Sequence, residues 1–277
     1  MKVYALLLCV MALLVAVSCS MGPSTPQPGT PAFYWDAAKT TFRSGDLVKT
    51  NDDLLEIVQG DNEFATRARN WLIVLAAGMS DGATELAKAY EAGSKVNHAN
   101  SLQFHKQVTI LHTLASHSAL DFAQSVKTLV EKDQSPDILL AFEFPPGSAN
   151  EPAILKRVSA GLLIQESEST ALQAAMLERG TIRALTAAVG SPDNSPKAVE
   201  LFRAGEVRVP RPVFLFAAAK MLYDQSNLFG TRQLDQPQRE KALCDTALAA
   251  LKAIPETKES KSMASAIEAA IKKIPTT

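Results

Sequence analysis

All four histidines of the chain, His98, His105, His112 and His117, fall within twenty residues. Such a cluster raises metal or haem ligation as the first chemical question. His98, His105 and His112 are spaced by seven, so on a helix they share a face yet stand about 10.5 Å apart at ~1.5 Å per residue. One metal takes nitrogen donors at about 2.0–2.1 Å, which on a single helix requires a spacing of three or four. Neither His-x-x-His nor His-x-x-x-His occurs. Boundary histidines flanking a helix–helix contact are the expectation, with no metal and no cofactor.

Other catalytic patterns are missing as well. The chain has no Gly-x-x-x-x-Gly-Lys-[Ser/Thr] phosphate cradle, no Gly-x-Ser-x-Gly elbow, and no His-Glu-x-x-His, Ser-x-x-Lys or Cys-x-x-Cys. No catalytic residue is assigned, although acids converging from distant positions would escape such a search. Glu143, between Phe142 and Phe144, is the one acid in an apolar setting; an edge acid facing water is expected. Arg203, Arg208, Arg211 and Arg232 give a modestly basic stretch, expected as a solvated face. Near the end, Lys258, Lys261, Lys272 and Lys273 alternate with Glu256, Glu259 and Glu268 as on an exposed helix. With 28 basic against 29 acidic residues and a net charge of −1, nucleic acid is excluded as the main partner. The 47% apolar content excludes a wholly disordered chain.

The remaining reactive candidate is a thiol. Met1-Lys2 precedes an apolar run from Val3 to Val17, 15 residues long, where a membrane-spanning helix needs about 20. A positive start, an apolar segment and the small-residue exit Ser18-Cys19-Ser20 make an export signal over residues 1–18. Ala16-Val17-Ser18-Cys19 resembles the bacterial lipobox, with Ala16 where Leu is commoner. The resemblance implies cleavage between Ser18 and Cys19 and a diacylglycerol thioether on Cys19, the nucleophile such chemistry requires. An ordinary signal cut near Ser20 or Gly22 is the alternative. Residues 19–31 hold four prolines and read as a tether, whose residues 20–31 reach at most about 37 Å. Cys9 leaves with the signal and Cys19 takes lipid, so Cys244 stands alone as a buried, inert thiol with no disulfide partner. Ser20 is not the Asp that resembles an inner-membrane retention signal, which favours an outer membrane facing the periplasm if two membranes are present. Losing residues 1–18 removes Lys2 and no acid, so net charge does not draw the folded body to an anionic lipid surface.

From Pro31 onward apolar residues recur at helical spacing. Thr30-Pro31 supplies a cap and first-turn proline for a helix to Arg43. Further helices are expected over 46–59, 63–77, 81–92, 100–117 and 120–132, with Gly60, Gly78 and Gly93 as stops. Residues 133–150 break the pattern, and 138–144 reads equally as strand or helical turn. Helices resume over 152–163, 169–179, 181–189 and 196–204. After an extended connector at 207–212, a segment over 212–226 is apolar on every side and therefore expected at the centre. Two more, over 237–254 and 260–274, finish the chain. A dozen helices of similar length without an alternating strand give an all-α expectation.

Phe33-Tyr34-Trp35-Asp36-Ala37-Ala38 through Phe42-Arg43-Ser44-Gly45-Asp46, with Leu54, Leu55 and Val58, resembles one tetratricopeptide repeat. Trp35, Ala38, Phe42, Gly45 and Leu55 occupy its packing and turn positions, while Asn51 stands where the family prefers Ala. Trp71, Val74 and Gly78 form a fainter echo 36 residues on, and Leu243, Ala247, Ala250 and Pro255 resemble a second helix near the end. The resemblance implies a right-handed α-solenoid of stacked antiparallel helix pairs, with helical repeats over 32–132 and 151–277 and a loop over 133–150. An irregular helical bundle is the alternative. Function then reads as a lipid-anchored, non-enzymatic interaction scaffold of the bacterial envelope, bound to the membrane through its N-terminal lipid and to another envelope protein or peptide. A helical envelope enzyme acting on cell-wall polysaccharide or peptide is the competing reading, and it requires a cleft where two acids converge.

Overall fold

The computed structural model describes residues 26–141, 151–191 and 206–275, with 196, 197, 200 and 201 between them. Ser18, Cys19, Glu143 and Arg203 lie outside the described residues, so nothing structural attaches to those four.

Helix α1 spans Pro31–Arg43, and the Thr30 hydroxyl oxygen accepts from the Phe33 amide at 3.3 Å, the expected cap. Gly45 at φ +79° reverses the chain. Asp46 then caps α2, Leu47–Val58, by accepting from the Lys49 amide at 3.1 Å. Trp35, Ala38 and Phe42 are buried in this hairpin. Phe42 meets Trp71 edge-on at 5.0 Å, and Trp35 stacks on Phe64 at 5.5 Å. Leu55 is half-buried, whereas Leu54 and Ile57 turn fully inward.

Gly60 follows a helix end as expected, but Gly78 and Gly93 do not stop their helix. Residues 63–92 were expected as two helices and form one, α3, Ala65–Val96, of 32 residues. The pair expected over 100–132 is likewise one helix, α4, Ser101–Lys132, joined to α3 by a short 3₁₀ turn at His98–Asn100. Helix α5 covers Glu151–Ser159, and α6 runs unbroken over Glu166–Ala188 through Gly180. A glycine inside a helix costs about 1 kcal/mol against Ala, and here the missing side chain lets backbones touch. A Cβ at Gly78 would collide with the Thr181 backbone, and one at Gly82 with the Met176 carbonyl. At Gly180 it would strike the Gly78 carbonyl, and at Gly93 the Val158 carbonyl of α5. Gly78, Gly82 and Gly93 therefore mark the lines along which α6 and α5 are pressed onto α3.

Of the two readings open for 138–144, residues 138–140 take the strand, and they pair with part of the extended connector expected at 207–212 in a two-stranded antiparallel ribbon. Strand β1, Asp137–Leu140, pairs with β2, Val207–Pro210, in the register Asp137↔Pro210 to Leu140↔Val207. Ile138, Leu140, Val207 and Val209 are the buried set, the period-two pattern of a half-covered ribbon. Helices α7, Arg211–Ser226, α8, Pro237–Lys252, and α9, Lys258–Ile271, complete the described chain. Arg211, expected on a solvated face, is buried. Its Nη2 donates to the Leu129 carbonyl at 3.3 Å and its amide to that of Pro136 at 2.8 Å.

The chain is mostly helical and its buried apolar residues form one connected core. Helix α7, expected at the centre, is buried at Phe214, Leu215, Ala217, Ala218, Ala219 and Leu222 and packs on α3, α4, α6, α8, α9 and both strands; the other central element is α3. It packs on α2, α4, α5, α6, α7 and β1, and every residue from Asn70 through Ser80 is buried. Among the described residues no helix is long and apolar enough to cross a membrane.

Candidate functional site

Helices α3 and α6 run antiparallel, with Gly78 opposite Thr181 and, further along, the Tyr90 hydroxyl sharing a hydrogen bond with Ser169 Oγ at 3.2 Å. Ion pairs flank the glycine contact. Arg183 Nε donates to Asp81 Oδ2 at 2.6 Å, and its Nη2 lies 2.7 Å from Glu85 Oε2. Arg179 Nη1 stands 3.7 Å from the same carboxylate group. Burial works against the charge on Arg183, but Asp81 and Glu85 outweigh it and hold the guanidinium above its ordinary value.

On the α7 side of this seam lies a cleft of about 730 Å³, closed at one end by the α8–α9 turn. Its buried lining is Ala77 from α3, Ala184 and Thr186 from α6 and Ala217 from α7. Val213, Phe216 and Met221 of α7 and Ile254 of the α8–α9 turn supply the larger apolar surface. Charges of both signs ring the opening, namely Asp81, Arg183, Lys220, Asp224 and Glu259. An apolar lining with a few polar groups at the mouth is the usual composition of a binding site.

Two polar groups in this wall stand out. Gln225 Nε2 donates to the Ala77 carbonyl at 2.8 Å, while its Oε1 is buried and accepts no hydrogen bond. Asp224 has an exposed edge, yet lost solvation pushes its carboxyl up; Lys220 pulls it down and the charge of Asp81 pushes it up again. Of the three carboxylates at the cleft, Asp81 pairs with Arg183, Asp224 has its carboxyl pushed up by burial, and Glu259 stands on the α8–α9 side.

A second, shallower groove of about 650 Å³ lies between α4 and α8 and includes Asp121. Burial raises the Asp121 carboxyl, a hydrogen bond with Asn51 and the nearby His117 lower it, and Asp52 raises it.

The residues singled out by sequence are dispersed. His98 sits in the 3₁₀ turn and His105, His112 and His117 lie on α4. Of these, His112 Nε2 approaches Glu91 Oε1 at 3.4 Å. Among the described residues no three His, Cys, Asp or Glu side chains gather where one metal would fit. Cys244 is buried on α8 as a free thiol, and burial pushes its pKa up, the opposite of a nucleophile's environment. Trp35, Ala38, Phe42, Gly45 and Leu55 belong to the α1–α2 hairpin and do not line the cleft. The one sequence signal that pointed at the cleft was the run Phe214-Leu215-Phe216-Ala217-Ala218-Ala219. Over 214–219 the helix carries no polar residue because one side meets the core and the other faces the cleft, and its polar groups Lys220, Asp224 and Gln225 follow one turn later.

Comparison of the chain with known protein families, with curated proteins and with solved structures gave no match. The cleft's geometry and the sequence therefore carry the functional reading between them.

Proposed function

We propose that the protein is a lipid-anchored, non-enzymatic scaffold of the bacterial envelope that holds a partner protein or peptide in the cleft between α3, α6 and α7. The carrying observation is the cleft itself, about 730 Å³ lined by small and medium apolar side chains under a rim of mixed charge. Such a lining takes an apolar anchor, and the rim fixes its flanking polar groups. The lipobox-like Ala16-Val17-Ser18-Cys19 and the proline-rich residues after it support attachment through Cys19, with the outer membrane favoured if there are two.

For the finer architecture, the α1–α2 hairpin with Trp71 behind it supports one tetratricopeptide-like unit at the start. The gathering of six elements round α3 supports an irregular helical bundle for the remainder, in preference to a right-handed α-solenoid throughout.

A photoreactive side chain at Val213, inside the cleft, tests the binding reading in intact envelopes. A defined polypeptide should be captured from position 213 and not from Lys252 on the exposed side of α8; equal yields from both would refute it. Cys19→Ser should release the chain from the membrane fraction, and unchanged membrane association would refute the anchor.

The pairing of Asp81 with Asp224 in one cleft supports a second reading, an envelope enzyme on cell-wall polysaccharide or peptide, with Asp224 as proton donor and Asp81 held in place by its ion pair with Arg183. Loss of a hydrolytic activity in Asp224→Asn, with partner capture intact, would favour that reading over the scaffold.

A further inference from the structure

We propose that the outer face of the first half of α4, together with the α3–α4 turn, docks on an anionic phospholipid bilayer. This surface is separate from the cleft and does not depend on what the cleft binds. Leu102 and Ile110 project from α4 at 70% and 55% exposure, and Val96 at the end of α3 is 64% exposed. Leu102, Lys106 and Ile110 follow one another at four-residue steps, so they lie along one side of the helix. His105, Thr109, Thr113 and His117 are exposed on the same side, while Phe104, Val108, Leu111 and Ala115 turn into the core.

Charge selects the occupant. No Asp or Glu occurs between Glu91 and Asp121, a stretch that carries Lys95, Lys106 and all four histidines. The flanking carboxylates are Glu91, which meets His112, and Asp121 at the far end. Arg239 of α8 adds a further cation there, its Nη1 donating to Ser116 Oγ at 3.3 Å. A helical segment without acids that mixes apolar and basic side chains, with Glu91 at one edge and Asp121 and Asp52 at the other, matches anionic headgroups over acyl chains. Its convexity also argues for a bilayer, since the side of a helix offers no groove to a peptide and fits a flat, deformable surface. The hydroxyls make little demand for water: Thr109 Oγ donates to the His105 carbonyl at 3.0 Å and Thr113 Oγ to that of Thr109 at 2.9 Å. The even balance of charge over the whole chain hides this local asymmetry. A weak surface suffices where an acyl anchor already holds the chain near a bilayer, because the second contact is then made at high effective concentration.

Tryptophan depth scanning tests the proposal. Leu102→Trp and Ile110→Trp are compared with Lys252→Trp in the full chain, using vesicles of phosphatidylglycerol and phosphatidylethanolamine with brominated acyl chains. The native Trp35 and Trp71 are buried and give a constant background. The proposal expects at least about a two-fold loss of the added emission at positions 102 and 110 and none at 252. That loss should disappear in phosphatidylcholine vesicles and in Leu102→Trp carrying Lys95→Glu and Lys106→Glu. Equal quenching at 102, 110 and 252, or quenching that survives the charge reversal, would overturn it.

Discussion

The two sides of the α3–α6 pair put small residues to opposite uses. On one side Gly78, Gly82 and Gly180 bring the helix backbones into contact, and the ion pairs of Arg183 with Asp81 and Glu85 flank the seam. On the other side Ala77, Ala184 and Ala217 keep three helices from filling the space between them, and a cleft remains. A missing Cβ allows backbone contact, whereas a lone methyl group facing another lone methyl group leaves room for a guest. The closed side therefore governs stability and the open side governs binding, and substitutions should separate the two.

The largest effect is expected on the closed side. Gly180→Ala places a Cβ into the Gly78 carbonyl, so the helices must part, with a loss of about 3 kcal/mol in urea unfolding. A loss below about 0.5 kcal/mol would mean that the seam is slack. On the open side, Val213→Glu puts a charge into the apolar mouth of the cleft at a position already 37% exposed. Capture or binding of the partner should fall by at least about ten-fold while stability changes by less than about 0.5 kcal/mol. If both quantities moved together, the two sides would not be separable.

Smaller effects sharpen the contrast. Arg183→Gln breaks ion pairs whose side chains are all partly exposed, so screening limits the loss to about 1 kcal/mol in urea unfolding. A larger loss would assign the seam to charge instead of backbone contact. The smallest effect comes from Asp224, whose carboxyl is raised chiefly by burial. The folded state holds this proton more tightly than the unfolded chain does, so its contribution favours folding at low pH and is lost as the pH rises through the folded-state value. Asp224→Asn should accordingly raise the unfolding midpoint at about pH 7 and leave it unchanged at about pH 3, read by thermal melts. A lowered midpoint at neutral pH would reverse the sign.

Much of the local structure was legible in the sequence. Thr30-Pro31, Gly45-Asp46 and Gly60 mark their helix ends because capping and positive φ are properties of single residues and their neighbours. The inward face of α4 likewise follows from Phe104, Val108, Leu111 and Ala115. Gly78 and Gly93 misled, since the letter is the same whether the glycine ends a helix or admits a neighbour's backbone; only the partner helix decides. The ribbon was half legible, with 138–144 open between strand and turn and 207–212 extended, because four residues per strand are too few to establish a period beside two proline-containing turns. The cleft escaped for a related reason. Its lining comes from α3, α6, α7 and the α8–α9 turn, and Ala77, Ala184 and Ala217 read singly as ordinary helix formers. The unbroken apolarity of residues 214–219 was visible, but a buried helix and a helix beside an empty cleft look alike until the neighbours are placed.

Occupancy of the cleft in the envelope is the most direct measurement, and Val213→Cys supplies the probe. Alkylation would be followed site by site by mass spectrometry, with the buried Cys244 as a slow internal reference. The binding account predicts that position 213 reacts freely in the purified protein and at least about ten-fold more slowly in intact envelopes, where the partner covers it. Equal rates in both settings would contradict it.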